Sequence, residues 1–267
     1  MGSENAVRLL DQTSRSQKTS MERLTSGLRI NHTADDAAGK AVVTRMDSQV
    51  KGTDMAIRNS QDGINLIQTV DGATQEVVNM LQRVRELGIQ AANATYTSAQ
   101  RAQMNQEVTQ LKSEIGRVAS TTKFNGIALM NGSNAKLSIQ AGWETSAVNE
   151  IQISLISMQA SALGVSTANT ISTQSKALLT VSQVDKAISK INTIRAKWGA
   201  TQNRFEHTIA NLQNVNENIK NSRSQIQDTN FAKESANLAR TQVLQQAGMS
   251  MLSQANKQSQ NVMQLLK

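Results

Sequence analysis

Apolar residues recur three and four apart along two long stretches that lie far from each other in this chain. The first stretch carries Ile57, Ile64, Ile67, Val70, Thr74, Val77, Leu81, Val84, Leu87 and Ala91. The second carries Val181, Val184, Ile188, Ile191, Ile194, Trp198, Phe205, Leu212, Val215, Ile219 and Ile226. A stripe this narrow is the seam of a coiled coil, not the broad face of a helix on a globular core. The two stripes predict a pair of long helices folded back on one another. The return helix, over about 176–225, would be about 75 Å long at 1.5 Å per residue. The stability of such a helix must come from lateral packing.

Weaker periodicity fills in the other elements. A helix is expected over about 5–28, with Leu10, Gln17, Met21, Leu24 and Leu28 on one face. Asn31 to Asp36 offers capping side chains for the next helix, with Gly39 and Gly52 as soft points inside it. A loop over 93–98 leads to a helix over about 99–120, with Met104, Val108, Leu111, Ile115 and Val118 aligned. Phe124-Asn125-Gly126 and Asn131-Gly132 then signal turns, and Leu137/Ile139 and Ile151/Ile153/Leu155 alternate with polar residues. These predict short hairpins over about 127–157 and a polar tip over 161–175. A last helix is expected over about 231–266, with Leu238, Val243, Leu244, Ala247, Met251, Leu252, Ala255, Val262 and Leu265 apolar. The fold class is therefore mainly α: an elongated antiparallel helical bundle or coiled coil with a small β-hairpin region near the middle. Terminal segments 1–36 and 228–267 flank a rod-like helical domain over 37–227. The terminal stripes lack an evident third partner in the chain, so they are expected to be partly disordered in the monomer and to bind other copies.

Composition narrows the function. The 267 residues include no Pro and only 2% aromatics, as slender helices require. The absence of Cys excludes disulfides, thiolate catalysis and Cys-based metal sites. His32 and His207 are far apart and lack a metal-ligand spacing. Asp35-Asp36 has no His, Ser or Lys pocket beside it, so helix capping is the expected role. No catalytic residue, metal site or cofactor is expected, and the chain is not expected to be an enzyme. No stretch is long enough to span a bilayer as a helix. The formal net charge of +8 is concentrated near the return helix, where Lys186, Lys190, Arg195, Lys197 and Arg204 are candidates for polyanion binding. Aromatics are not interleaved with them, which argues against nucleic acid. Trp198 falls on the seam and is expected in the core, whereas Trp143 in the hairpin region is free to stack on a sugar.

Several blocks resemble those of bacterial flagellins. At one end stand Glu22-Arg23-Leu24-Thr25-Ser26-Gly27-Leu28-Arg29-Ile30-Asn31, Ala34-Asp35-Asp36-Ala37-Ala38-Gly39, Arg58-Asn59-Ser60-Gln61-Asp62-Gly63-Ile64 and Leu81-Gln82-Arg83-Val84-Arg85-Glu86-Leu87. Phe124-Asn125-Gly126 follows, then Gln202-Asn203-Arg204-Phe205, Leu244-Gln245-Gln246-Ala247-Gly248 and the closing Gln260-Asn261-Val262-Met263-Gln264-Leu265-Leu266-Lys267. The resemblance implies a structural subunit that self-assembles into the flagellar filament, secreted to the cell surface, in a short form lacking the outer variable domains. Glu4 to Leu9 match the family poorly and Met1-Gly2-Ser3 looks like an added leader, so an N-terminal truncation is expected. Ser259 stands about where the family has Pro.

The same resemblance implies partners. These are other flagellin subunits, the flagellar export apparatus with an export chaperone at the C-terminal helix, and a flagellin-sensing Toll-like receptor. Arg83, Leu87 and Glu107 match the surface that family members turn towards neighbouring subunits and that receptor. The alternative function is a flagellin-like surface protein capturing an acidic polysaccharide through its basic rod. Neither nucleic acid nor membrane insertion is expected.

Overall fold

The computed structural model describes residues 2–166 and 169–265. Positions 167 and 168 of the expected tip and 266 and 267 of the closing block lie outside the described residues. So do the side chains of Ala255, Val262, Met263 and Leu265. The elements run α1 (Gly2–Ser26), α2 (Ala37–Ala92), α3 (Ser98–Thr121), β1 (Lys123–Phe124), β2 (Ile127–Ala128), β3 (Lys136–Gln140), β4 (Glu150–Ser154), α4 (Gln174–Gln227) and α5 (Phe231–Leu265). The fold is mainly helical with two small antiparallel strand pairs in the middle, as the periodicity predicts.

Local chemistry sets the boundaries. Gly27, at φ +73°, ends α1 and its N–H donates to Arg23 O at 2.9 Å, a left-handed C-terminal cap that Gly adopts at no steric cost. Asp36 caps α2 by accepting from Gly39 N–H at 2.9 Å. Thr97 and Gln100 form a reciprocal capping box at α3. Asn230 caps α5, accepting from Lys233 N–H at 3.1 Å. Asn125 and Gly126 both have positive φ, which makes the two-residue β1–β2 turn with Phe124 opposite Ile127. The β3–β4 register pairs Leu137 with Ile153 and Ile139 with Ile151, so the alternating apolar residues share one face.

The chain divides into two compact units, 51–215 and the paired segments 1–50 with 216–267. In the first, α2 and α4 run antiparallel. Gly63 meets Phe205, and Gly88 meets Val181 and Ala177 O. Asp71 pairs with Arg195 and Arg85 with Asp185. The seam predicted from Ile67 to Ala91 is buried, as are Val184, Ile191, Ile194, Trp198 and Phe205. The core is thicker than a two-helix seam. Val108, Ile115 and Ala119 of α3, Ile151 and Ile153 of β4, and Leu129, Met130 and Met158 join it. Leu163, Val165 and Ile171 of the expected polar tip are also buried in it. Lys112 holds that bridge down, its Nζ donating to Ser166 O at 3.0 Å and to Asn169 O. Gly52 is not a soft point. α2 is unbroken there, and an added Cβ would meet Trp143 Cβ at 2.9 Å. Val215 departs from its expected seam position and is exposed, while Leu212 is turned inward.

In the second unit, α1 and α5 pack on each other. Each supplies the partner that its stripe lacked in sequence. The turns beside them are stitched together. Leu28 bridges Asp228, Arg29 N–H donates to Gln227 O at 2.6 Å, and Thr229 N–H donates to Gly27 O at 3.0 Å. Arg223 and Asp47 close an ion pair at 2.6 Å in the same unit.

Candidate interaction surfaces

The α1·α5 pair has a mixed inner seam and a second apolar set outside it. The residues of α1 turned towards α5 are Ala6, Leu10, Thr13, Gln17, Ser20 and Leu24, a heptad spacing of fours and threes. From α5 the inward positions include Glu234, Leu238, Thr241, Gln245, Gly248 and Leu252. Ser20, Glu234 and Thr241 are buried. Gly248 permits a close approach, since a Cβ there would stand 2.9 Å from Leu10 Cδ2. Leu10, Leu24, Leu238 and Leu252 lie on this inner seam, but other large apolar side chains face the other way. Leu9 is 64% exposed, Leu244 52% and Met251 68%, and Met21, Val243 and Met249 are also exposed. Met21, Val243, Leu244, Ala247 and Met251 are exposed, in keeping with the expectation that the terminal stripes lack a third partner within the chain. Helix rotation follows the whole heptad, and small or short side chains at Thr13, Ser20, Thr241 and Gly248 let the helices come together on that side. Leu9, Leu10, Leu244, Ala247 and Met251 line an open apolar concavity of about 430 Å³. Burial of each large side chain is worth about 1.5–3 kcal/mol, and within the described chain this surface is not covered.

The second candidate surface lies on α2 and α3. Arg83 Nε donates to Glu107 Oε1 at 2.8 Å and its Nη1 to Glu86 Oε2 at 3.1 Å, all on exposed side chains. Glu107, then Glu86, raises the Arg83 pKa above its ordinary value by accepting these bonds. Leu87 does not belong to this surface. It is 2% exposed and packs in the core, because the α2 seam residues face α4 and α3.

The basic residues of α4 separate into two kinds. Arg195 forks onto Asp71, with Nε and Nη2 donating to the two carboxylate oxygens at 2.7 and 3.2 Å, and Nη1 reaches Gln75 at 2.9 Å. Asp71 raises its pKa, so its charge is satisfied within the chain. Lys190 Nζ donates to Ala162 O at 3.2 Å. Lys186, Lys197 and Arg204 are exposed on the same helix. Trp198 is buried and its Nε1 donates to Ser154 O at 2.7 Å, whereas Trp143 is 43% exposed in the β3–β4 loop.

Among the described residues, no group of three acidic or His side chains could hold a metal ion, and no helix is long and apolar enough to cross a membrane. The outward apolar positions on α1 and α5 were within reach of the sequence. The heptad through Leu10, Gln17 and Leu24 already leaves Leu9 and Met21 off the seam.

Comparison with known proteins bears on these surfaces. The family described as bacterial flagellin N-terminal helical region matches residues 1–135, and the bacterial flagellin C-terminal helical region matches residues 181–266. A flagellin of Halalkalibacterium halodurans is 41% identical over 92% of this chain and 90% of its own. A flagellar filament 33 kDa core protein of Treponema phagedenis is 38% identical over 98% of this chain and 96% of its own. The crystal structure of a Bacillus cereus flagellin is 30% identical and covers 58% of this chain and 88% of its own, with a TM-score of 0.51.

Proposed function

This chain belongs to the bacterial flagellin family, and from that premise we infer that the outward apolar faces of α1 and α5 are where its copies join. The protein is a structural subunit that self-assembles into the extracellular flagellar filament for motility. The observation that carries the assembly surface is the exposed apolar set on the outward side of the helix pair. Leu9, Leu244 and Met251 stand exposed around one concavity while Ser20, Glu234 and Thr241 are buried between the helices. Stability of those side chains in the filament comes from neighbouring subunits in a repeating heterologous contact that does not close on itself.

The finer reading follows the same chemistry. The role is mechanical and not enzymatic. Before assembly the exposed apolar residues of α5 suit an export chaperone and passage through the flagellar export apparatus. The exposed Arg83–Glu107 pair is a contact for a neighbouring subunit, and a flagellin-sensing Toll-like receptor would read the same face. Capture of an acidic polysaccharide is not supported as the function. Arg195 is committed to Asp71, and Lys190 to a backbone carbonyl. That leaves Lys186, Lys197 and Arg204 as a salt-sensitive secondary contact.

The test is a Leu9→Ser, Leu244→Ser, Met251→Ser variant, assayed by sedimentation and electron microscopy after seeding. Loss of filaments with helicity retained in the monomer is expected. Filaments at the unaltered critical concentration would reject this surface.

A further inference from the structure

A second groove between α1 and α5, open to solvent and about 480 Å³ in volume, is lined by polar and charged residues. Arg15 and Arg23 of α1 line it, as do Glu234 and Arg240 of α5. Buried Ser20 and Thr241 complete the lining. Of the three guanidinium groups, Arg15 pairs with Asp11 at 2.8 Å on exposed side chains. Among the described residues, Arg23 and Arg240 enter no ion pair. The charge of Arg23 acts on Asp35 at longer range, yet its Nε is buried without a hydrogen-bond acceptor. A donor left in that state is costly. Three guanidinium groups against one carboxylate make the groove net positive. A guanidinium fork matches a carboxylate or a phosphate in shape as well as charge, which a simple ammonium does not. An apolar ligand would strand these walls unpaired, and a cation would be repelled.

We propose that this groove is an oxyanion site, in which one carboxylate or phosphate group bridges Arg23 and Arg240. Glu234 sets the limit on affinity, because its carboxylate competes for the same guanidinium groups. The two sources are dissolved inorganic phosphate and an acidic side chain of a second copy. The site itself does not depend on the apolar assembly surface.

The experiment uses the full chain, held dilute as a monomer, titrated with inorganic phosphate at constant chloride and followed by calorimetry. Saturable binding is expected, weakened about tenfold by R23Q and by R240Q through loss of a charge-assisted bond. E234Q tightens it by a similar factor, since a like charge is removed. K136Q, which removes an exposed cation on strand β3 of the other unit, leaves it unchanged. A second arm measures the concentration needed for assembly. Absent phosphate binding, a rise in that concentration for R23Q and R240Q but not K136Q assigns the anion to a neighbouring copy. Indistinguishable behaviour of R23Q, R240Q and K136Q in both arms overturns the site. If the arginine variants lose helicity, E234Q decides: unchanged phosphate affinity and unchanged assembly overturn it. Failure of the Leu9, Leu244 and Met251 variant alone would leave the groove standing, so the two claims fail separately.

Discussion

The tip of the Phe205 ring rests on Gly63. A Cβ added at Gly63 would stand 2.8, 3.1 and 3.2 Å from Cζ, Cε2 and Cε1 of a ring that is itself fully buried. Gly63 therefore spends helix propensity to admit an aromatic ring between two long helices. Gly72 and Gly199, on the same two helices, would place a Cβ in open space. The expected signs are opposite. Gly63→Ala destabilises by ~1–3 kcal/mol through overpacking, less the ~1 kcal/mol that Ala gains in a helix. Gly72→Ala and Gly199→Ala each stabilise by up to ~1 kcal/mol. Urea unfolding of the three variants checks this, and a stabilised Gly63→Ala would show that the contact is slack.

Lys112 anchors the bridge before α4 from a buried position, and desolvation lowers its pKa below the ordinary lysine value. Lys112→Ala removes the donors to Ser166 O and Asn169 O and should cost about 1–3 kcal/mol. The pH dependence has a definite sign. Between the lowered folded value and the ordinary value near 10.4, the unfolded chain holds the proton and the folded chain does not. Stability contributed by this group therefore rises with pH through that window. Denaturation midpoints of wild type and Lys112→Ala from neutral to alkaline pH should show this contribution in the wild type only.

The slope on the acid side has the same sign, although here the folded state favours the charged form. Asp35 accepts from His32 N–H at 2.9 Å and Asn31 N–H at 3.0 Å, and these bonds lower its pKa. Glu22 is lowered by its bonds to Asn31 Nδ2 at 2.8 Å and His32 Nε2 at 2.6 Å. Both groups stabilise the fold above the ordinary carboxylate range near pH 4, and that contribution is lost as pH falls through the lowered folded values. Asp35→Asn should flatten the acid limb of a circular-dichroism titration. An unaltered limb would show that the loop bonds do not persist in solution.

Arg83 and Glu107 are solvent-exposed, and screening makes such a pair weak within one subunit. Arg83→Ala is expected to leave the monomer's thermal midpoint essentially unchanged while slowing filament growth. A large fall in the midpoint with normal growth would make the pair a clamp between α2 and α3 and not an intersubunit contact.

Much of the fold is legible in particular residues. The run from Ile67 to Ala91 is buried as its spacing predicts, and Asn125-Gly126 turns where two positive-φ residues must. Gly52 looks like weakness in one dimension, because a glycine inside a helix lowers its propensity. Only the approach of Trp143, far along the chain, gives it a purpose. Leu87 lies in the α2 seam, as its spacing in the first stripe predicts, and not on the surface that the resemblance implies. Family likeness places it beside Arg83, but a helix turns neighbouring residues to different sides.

What the sequence determined by itself is which segments are helix or hairpin and that the α2 and α4 seams pair. Periodicity and turn chemistry act between residues a few positions apart, whereas the register of the two seams is set by contacts such as Gly63 with Phe205 and Gly88 with Val181. The tertiary structure decided which way α1 and α5 turn. Their inward side mixes Leu10, Leu24, Leu238 and Leu252 with enclosed Ser20, Glu234 and Thr241, and their outward side carries Leu9, Leu244 and Met251. Close approach at Gly248 fixes that rotation, because the missing side chain admits Leu10 from a helix far away in sequence and leaves the outward apolar residues uncovered within the described chain.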